Sequence, residues 1–324
     1  MNEKGLKILE YDKIIGMLSE KADSAPGKKC CQELQPMTDL HQINLAQTET
    51  EDALARLFKL GSTSFGSNQD MGFALKSLEI GSTLSMSELL RMARMLDNVN
   101  RIKTYGRKER EDIPRDSLDD YFEQLTPLTQ LSGEISRCIL SEEEMADDAS
   151  PGLKHVRRSM LLTNEKVRSQ LNSMITGSYR SYLQDAVITM RDNRYCIPVK
   201  SEYKGQVHGM IHDQSSTGST FFIEPAAVVE LNNRLRELEI QEKTEMEKVL
   251  ADLSARAAEH VQELADNQKL MTHLDFVFAK GKLALDQNAT RPVFNNRHYI
   301  NLRKGRHPLL PRDKVVPIDI HLGK

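Results

Sequence analysis

The sequence predicts a mainly α-helical protein in which two long antiparallel helical arms carry a small four-stranded antiparallel β-sheet. Three observations lead there. Leu183–Pro225 is the one stretch of the first 290 residues built from short runs of Val, Ile, Thr, Tyr and Phe, as strands are. On both sides of it apolar residues recur every three to four positions, and residues 226–291 hold no proline and a single glycine, Gly281. Charged residues make up 28% and aromatics 5%, with no Trp, which suits an extended helical protein better than a compact aromatic-rich enzyme. With 324 residues the chain can form several structural units. The reading is a helical region at 1–150, an ascending basic arm at 151–183 and the β tip at 184–225. A descending arm follows at 226–290, and the first strands of a further α/β domain at 291–324.

From the start of the chain, Leu6, Leu9, Ile14, Ile15 and Leu18 fit one apolar helical face. Ser24-Ala25-Pro26-Gly27 breaks it, a second helix is expected from Gly27 to Leu34, and Asp39 can cap a third from Leu40 to about Leu60. Gly61 to Gly72 reads as a loop. Ser85 to about Ile102 is a helix with Leu89, Leu90, Met92, Ala93 and Leu96 inward. These stripes of Leu and Met are core patterning.

Charge then separates along the chain. Residues 109–148 hold thirteen acids against Arg110, Arg115 and Arg137. Past Pro151-Gly152, residues 153–182 hold Lys154, Arg157, Arg158, Lys166, Arg168 and Arg180 against Glu165 alone. Such runs are usually solvated faces, but a helix this one-sided can also serve as an electrostatic rail for a phosphate backbone. Ala186–Met190, Tyr195–Lys200, Val207–Asp213 and Ser219–Glu224 are the expected strands of the tip. Arg191-Asp192-Asn193-Arg194 suits a tight hairpin, because Asp and Asn tolerate positive φ. Pro198 has no N–H for a ladder, so its strand should be an edge or bulged there. Pro225 can start the descending helix. Run unbroken to residue 290, that helix would be roughly 90–100 Å long, with a kink expected at Asp266-Asn267. Its narrow apolar seam needs a partner, and the basic helix Leu153–Ile175 is the natural antiparallel one, as in a coiled coil. From Arg291 strand patterns return at Tyr299–Leu302 and Val315–Ile320, which read as the cut beginning of another domain.

Catalytic motifs are missing from the sequence. There is no G-x-x-x-x-G-K-[ST], and Ile318 stands where the leading glycine of Gly323-Lys324 would fall. His208 and His212 on a strand would lie roughly 13 Å apart, too far for a metal. The acids Glu142–Glu144, Asp147 and Asp148 read as a capping run before a helix. Cys30, Cys31, Cys138 and Cys196 fit no zinc spacing and read as free, mostly buried thiols of a reducing compartment. No apolar h-region or 18-residue apolar run occurs, so a cytoplasmic protein without a membrane partner is expected. The net charge of -3 argues against indiscriminate nucleic-acid binding by the whole molecule, not against a local basic face.

The tip carries Ile188-Thr189-Met190-Arg191, Arg194-Tyr195, Ile197-Pro198-Val199-Lys200 and Ile211-His212-Asp213-Gln214-Ser215. In these residues it resembles the MutS family of ATPases, in the bacterial branch without mismatch-reading and connector domains. Gly218-Ser219-Thr220, Phe222-Ile223-Glu224-Pro225 and Leu231-Asn232-Asn233 continue the resemblance. Leu9–Ile14, Leu34-x-Pro36, Arg306–Leu310 and Val315–Ile318 agree outside the tip. Ser215-Ser216-Thr217-Gly218 stands where the branch more often has Ser-Ala-Ser-Gly. The resemblance implies a helical core and lever, two arms with a β clamp at their end, and an ABC-type ATPase domain that this chain leaves before its phosphate loop. No cofactor is then expected here, whereas the full-length protein would use ATP and Mg, form a homodimer and carry a downstream endonuclease domain. It also implies a target: branched or duplex DNA, with suppression of recombination, or alternatively collided ribosomes and their rRNA. A purely structural helical module is the third reading. Expected contacts are Lys154, Arg157, Arg158, Lys166, Arg168 and Arg180 on the arm. At the tip they are Arg191, Arg194, Lys200, Tyr203, Lys204, His212, Gln214, Ser215, Ser216 and Ser219. Phe222-Ile223-Glu224 spells the F-x-E with which mismatch-repair relatives probe a base step; on a clamp strand that match is accidental.

Overall fold

The computed structural model describes residues 3–66, 68–107, 114–311 and 313–323, which leaves out the first acids of the acid-rich stretch and Lys324. The fold is mainly helical with a four-stranded antiparallel sheet and a separate two-stranded sheet. It comprises two compact units, one of residues 1–136 with 253–324 and one of residues 137–252.

The first unit contains α1 (Glu3–Ile8), α2 (Tyr11–Lys21), α3 (Ala25–Gln32), α4 (Leu40–Leu60), α5 (Gly72–Glu79), α6 (Met86–Arg107) and α7 (Asp119–Gln124). The expected single face from Leu6 to Leu18 is split, because Glu10 turns the chain at φ 53° and leaves Ile8 and Leu9 exposed. The second helix starts two residues before the expected Gly27. Ser24 Oγ accepts the Gly27 N–H at 3.1 Å and Pro26 occupies the first turn, where its missing N–H costs nothing. The third spans Leu40–Leu60 as expected, and Asp39 accepts the Gln42 N–H at 2.8 Å. Ser85 and Glu88 form a reciprocal capping box before α6. That helix runs five residues beyond Ile102, because Ile102 and Tyr105 are still buried.

Two further helices, α8 (Thr129–Cys138) and α9 (Pro151–Thr176), lead to the tip strands β1 (Thr189–Arg191), β2 (Arg194–Lys200), β3 (Gly209–Gln214) and β4 (Thr220–Pro225). The chain returns through α10 (Ala226–Ala258) and α11 (Val261–Gln287) and ends in β5 (Ile300–Gly305) and β6 (Ile318–Leu322), which pair antiparallel. The descending helix breaks at Glu259-His260, not at the expected Asp266-Asn267. The His260 N–H tightens onto Ala257 O, whereas Asn267 stays helical and spends its amide on Thr126, accepting its N–H at 2.8 Å and donating to its carbonyl at 2.6 Å. In the first unit α11 is the central helix. Its Phe278 meets Phe65, Tyr105 and Phe122 at centroid distances of 5.6, 5.9 and 6.3 Å. Beside them buried Arg56 bonds Asp116 at 2.7 and 2.8 Å and Asp119 at 2.8 Å.

In the second unit α9 and α10 run antiparallel, and their inner side chains continue into the tip as one core. Val167, Leu171 and Ile175 join Leu183, Ile197, Val199, Ile223, Val228 and Leu235. The sheet order is β1-β2-β4-β3. Asp192 and Asn193 both take positive φ, 50° and 59°, as the β1–β2 hairpin requires. β2 lies inside the sheet and keeps an unshifted register with β4 through Pro198, so the expected edge or bulge is not found there. β1 pairs only with residues 194–196, and beyond that point Pro198 offers its carbonyl to the Gln184 N–H at 2.9 Å.

Candidate nucleic-acid interface

The basic arm begins where Ser150 caps α9, its Oγ accepting the Leu153 N–H at 3.0 Å, with Pro151 next in the first turn. A helical period then places Leu153, Val156, Val167, Leu171 and Ile175 inward. Lys154, Arg158, Lys166 and Arg168 are exposed, and no acid pairs with any of them among the described residues; the same holds for Arg180 in the turn after the helix. Glu165, exposed, is the one acid of this helix. Leu161 and Leu162 interrupt the row, 60% and 48% exposed.

Arg157 does not belong with these cations. Its Nε bonds Glu242 at 2.7 Å, and its Nη1 bonds Asp147 at 2.6 Å and Met145 O at 2.7 Å. Those donors tie α9 to α10 and to the acidic turn before it, which removes the expected phosphate contact. The tip shows the same pattern. Glu224 is 0% exposed and accepts from Arg194 at 2.7 Å and Asn232 at 2.8 Å, with His212 Nε2 at 2.6 Å. Arg194 also reaches Asn233, and Asn232 brackets the Tyr195 backbone. Arg191 bonds Asp213 at 2.9 Å and lies 3.8 Å over the Phe222 ring. Arg191, Arg194 and His212, expected at the target, are therefore largely internal ties. Glu224, sealed under three donors, cannot reach a base step, which agrees with reading the F-x-E match as accidental.

The remaining tip residues face outward to different degrees. Lys200 contacts Ser181 O at 3.5 Å, and exposed Lys204 lies 5.1 Å from the Phe221 ring. Tyr203 is half-buried and stacks on Tyr182. In the loop, Ser215 accepts the Thr220 N–H at 3.0 Å, Thr217 and Ser219 meet at 2.8 Å, and Gln214 bonds Gly218 O at 3.2 Å. Gly218 sits at φ 71°, where a side chain would strain the turn. Ser216 is exposed. Burial pushes the Cys196 thiol up to about 11, so it stays protonated. Sequence reasoning missed the tying roles of Glu224, Asn232 and Glu242. The signal available for the first two was an acid in an otherwise apolar strand followed by adjacent asparagines on a helix.

Fold and surface together define a class: a helical protein with an antiparallel arm-and-tip unit whose ascending arm presents unpaired cations. No family model matches the chain. Along its whole length it is 50% identical to the Endonuclease MutS2 of Agathobacter rectalis and covers 41% of that protein. It is likewise 50% identical to the Endonuclease MutS2 of Lachnoclostridium phytofermentans, covering 41% of it, and 48% identical to that of Lachnospira eligens, covering 40%. The chain thus spans about two-fifths of the length of these curated relatives. The resemblance to the MutS family, in its MutS2 branch, holds over the entire chain. No helix among the described residues is long and apolar enough to cross a membrane.

Proposed function

We propose that this chain is the core, lever and clamp region of a MutS2-type protein that holds branched or duplex DNA and suppresses recombination. One observation carries the reading. Arg157, Arg191, Arg194, Arg234 and Arg236 of the second unit are each paired with an acid, while Lys154, Arg158, Lys166 and Arg168 are left free on one arm. Folding ties up these five arginines, which leaves the four cations of the arm, with Arg180 just after it, without an acid partner among the described residues and open to phosphates. In this reading the whole protein dimerises, binds ATP and Mg beyond this chain and cuts with a separate endonuclease domain, as the relatives' name suggests.

A second target is supported by Leu161 and Leu162, which stand exposed within the cationic row. Such a mixed surface suits a ribosome, with rRNA and protein side by side, in the rescue of collided ribosomes. Binding of the chain to a four-way junction, blunt duplex and ribosomes across a salt series separates the two. Four phosphate contacts give a log–log salt slope of about −3 to −4. Arg158→Glu with Lys166→Glu and Arg168→Glu is expected to abolish junction binding, while Arg157→Glu is expected to unfold the arm locally. Ribosome co-sedimentation without junction binding at low salt would sink the DNA reading.

A further inference from the structure

Two turns of the tip meet in a row of tyrosines. Tyr179 and Tyr182 come from the turn after α9, and Tyr203 from the turn after β2. Tyr182 stacks on Tyr203 with centroids 5.0 Å apart and planes at 30°, and Tyr179 lies 6.2 Å from Tyr182 at 41°. All three rings are half-buried against the tip core, and none of their hydroxyls has a hydrogen-bond partner among the described residues. Arg180 and Lys204 are exposed beside them, and the Lys200 Nζ lies 3.5 Å from Ser181 O, within the first turn. Asp185 and Glu202 are the exposed acids of the same turns. This is the composition of a stacking platform: aromatic rings fixed by packing, with cations alongside to track a backbone. The interior of a duplex keeps its base faces stacked on one another and offers the rings none of them.

We infer that Tyr179, Tyr182 and Tyr203 bind unpaired bases, so that the target is a nucleic acid with a single-stranded segment beside a duplex. The inference rests on the nucleic-acid reading above and divides the labour, with α9 cations holding phosphates and the tyrosines selecting the unpaired strand. The test uses the whole chain and a forked DNA carrying 2-aminopurine in its single-stranded flap, against a blunt duplex of equal phosphate count. The fork is expected to bind about tenfold or more tighter, as one stacked base allows, with quenching of 2-aminopurine. Tyr182→Leu and Tyr203→Leu are expected to lose both the preference and the quenching while keeping duplex affinity; Tyr182→Phe keeps both. Because these rings also pack on the core, a second measurement needs no variant: bound fork should protect the three tyrosines from nitration by tetranitromethane, and blunt duplex should not. Equal affinity for fork and duplex, or quenching unchanged in the leucine variants, overturns the inference but leaves the arm reading intact. Absence of binding to both DNAs overturns both. Protection of the tyrosines by a ribosomal-protein fraction but not by fork or rRNA overturns it in favour of a protein partner.

Discussion

Charged residues in this molecule divide by whether folding has used them. Arg56 is 5% exposed and has two aspartates, and Glu224 at 0% has Arg194, Asn232 and His212 around it. Buried charges persist only when compensated in this way, because removing one partner leaves the other without solvent or counter-charge. Lys280 on α11 is a partial exception. It lies 4.6 Å from the Phe276 ring, and burial holds its pKa below the ordinary lysine value, opposed by Glu49. The sign follows from proton binding: between the lowered folded value and the ordinary one, the unfolded chain holds the proton more tightly, so stability from this group rises with pH. Tyr105 and Tyr121, pushed up to about 12 by burial, act in the opposite sense at alkaline pH. Comparing wild type with Lys280→Met cancels them. Urea midpoints from pH 7 to 10 are expected to show wild type gaining on the variant as pH rises; parallel curves would show that Lys280 is not penalised by burial.

At the level of elements, local chemistry decides several ends, such as the Asp39 cap and the Gly61 stop of α4, while the break in the descending helix has no such local signal. The start of α4 was readable because its cap, Asp39, lies in the adjoining residue; for α9 the boundary at Pro151-Gly152 was readable, but the Ser150 cap that starts the helix two residues before the expected Leu153 was not read. The break before α11 was not readable. Glu259-His260 contains no glycine or proline, and the Asn267 side chain, part of the expected kink, lies within α11 and bonds Thr126, 141 residues away. The candidate site behaved the same way. Its cations could be read off the sequence, but their availability depends on Glu242, Asp213 and Glu224, each far along the chain. The tip sheet is fixed at one further place, where Gly209 of β3 runs against β4. A Cβ there would overlap the Glu224 carbonyl, a backbone atom with no rotamer to yield. Gly209→Ala is therefore expected to cost about 1–3 kcal/mol, as overpacking does, and to detach β3 from β4. Loss of amide protection along Gly209–Gln214 checks it; full protection in the variant would mean that β3 shifts at no cost.

Over the whole molecule, the division into two units with separate cores predicts how damage spreads. Residues 1–136 with 253–324 are organised on Phe278 and the Arg56 pairs, and residues 137–252 on the shared core of α9, α10 and the tip. Changes at positions without shared partners act independently, whereas changes inside one packed cluster couple. Local opening follows such clusters as cooperative blocks. Arg56→Met leaves Asp119 buried against an apolar side chain, which costs about 3–5 kcal/mol for a broken buried pair. Hydrogen exchange in mild urea is then expected to accelerate in α6 and α11 while β2 and β4 keep their wild-type rates. Gly209→Ala is expected to do the reverse. Acceleration everywhere in either variant would mean that the molecule opens as a single block. If the two blocks do open separately, the second unit can loosen without cost to the first unit's core, and α9 with its exposed cations opens together with the tip whose core it shares.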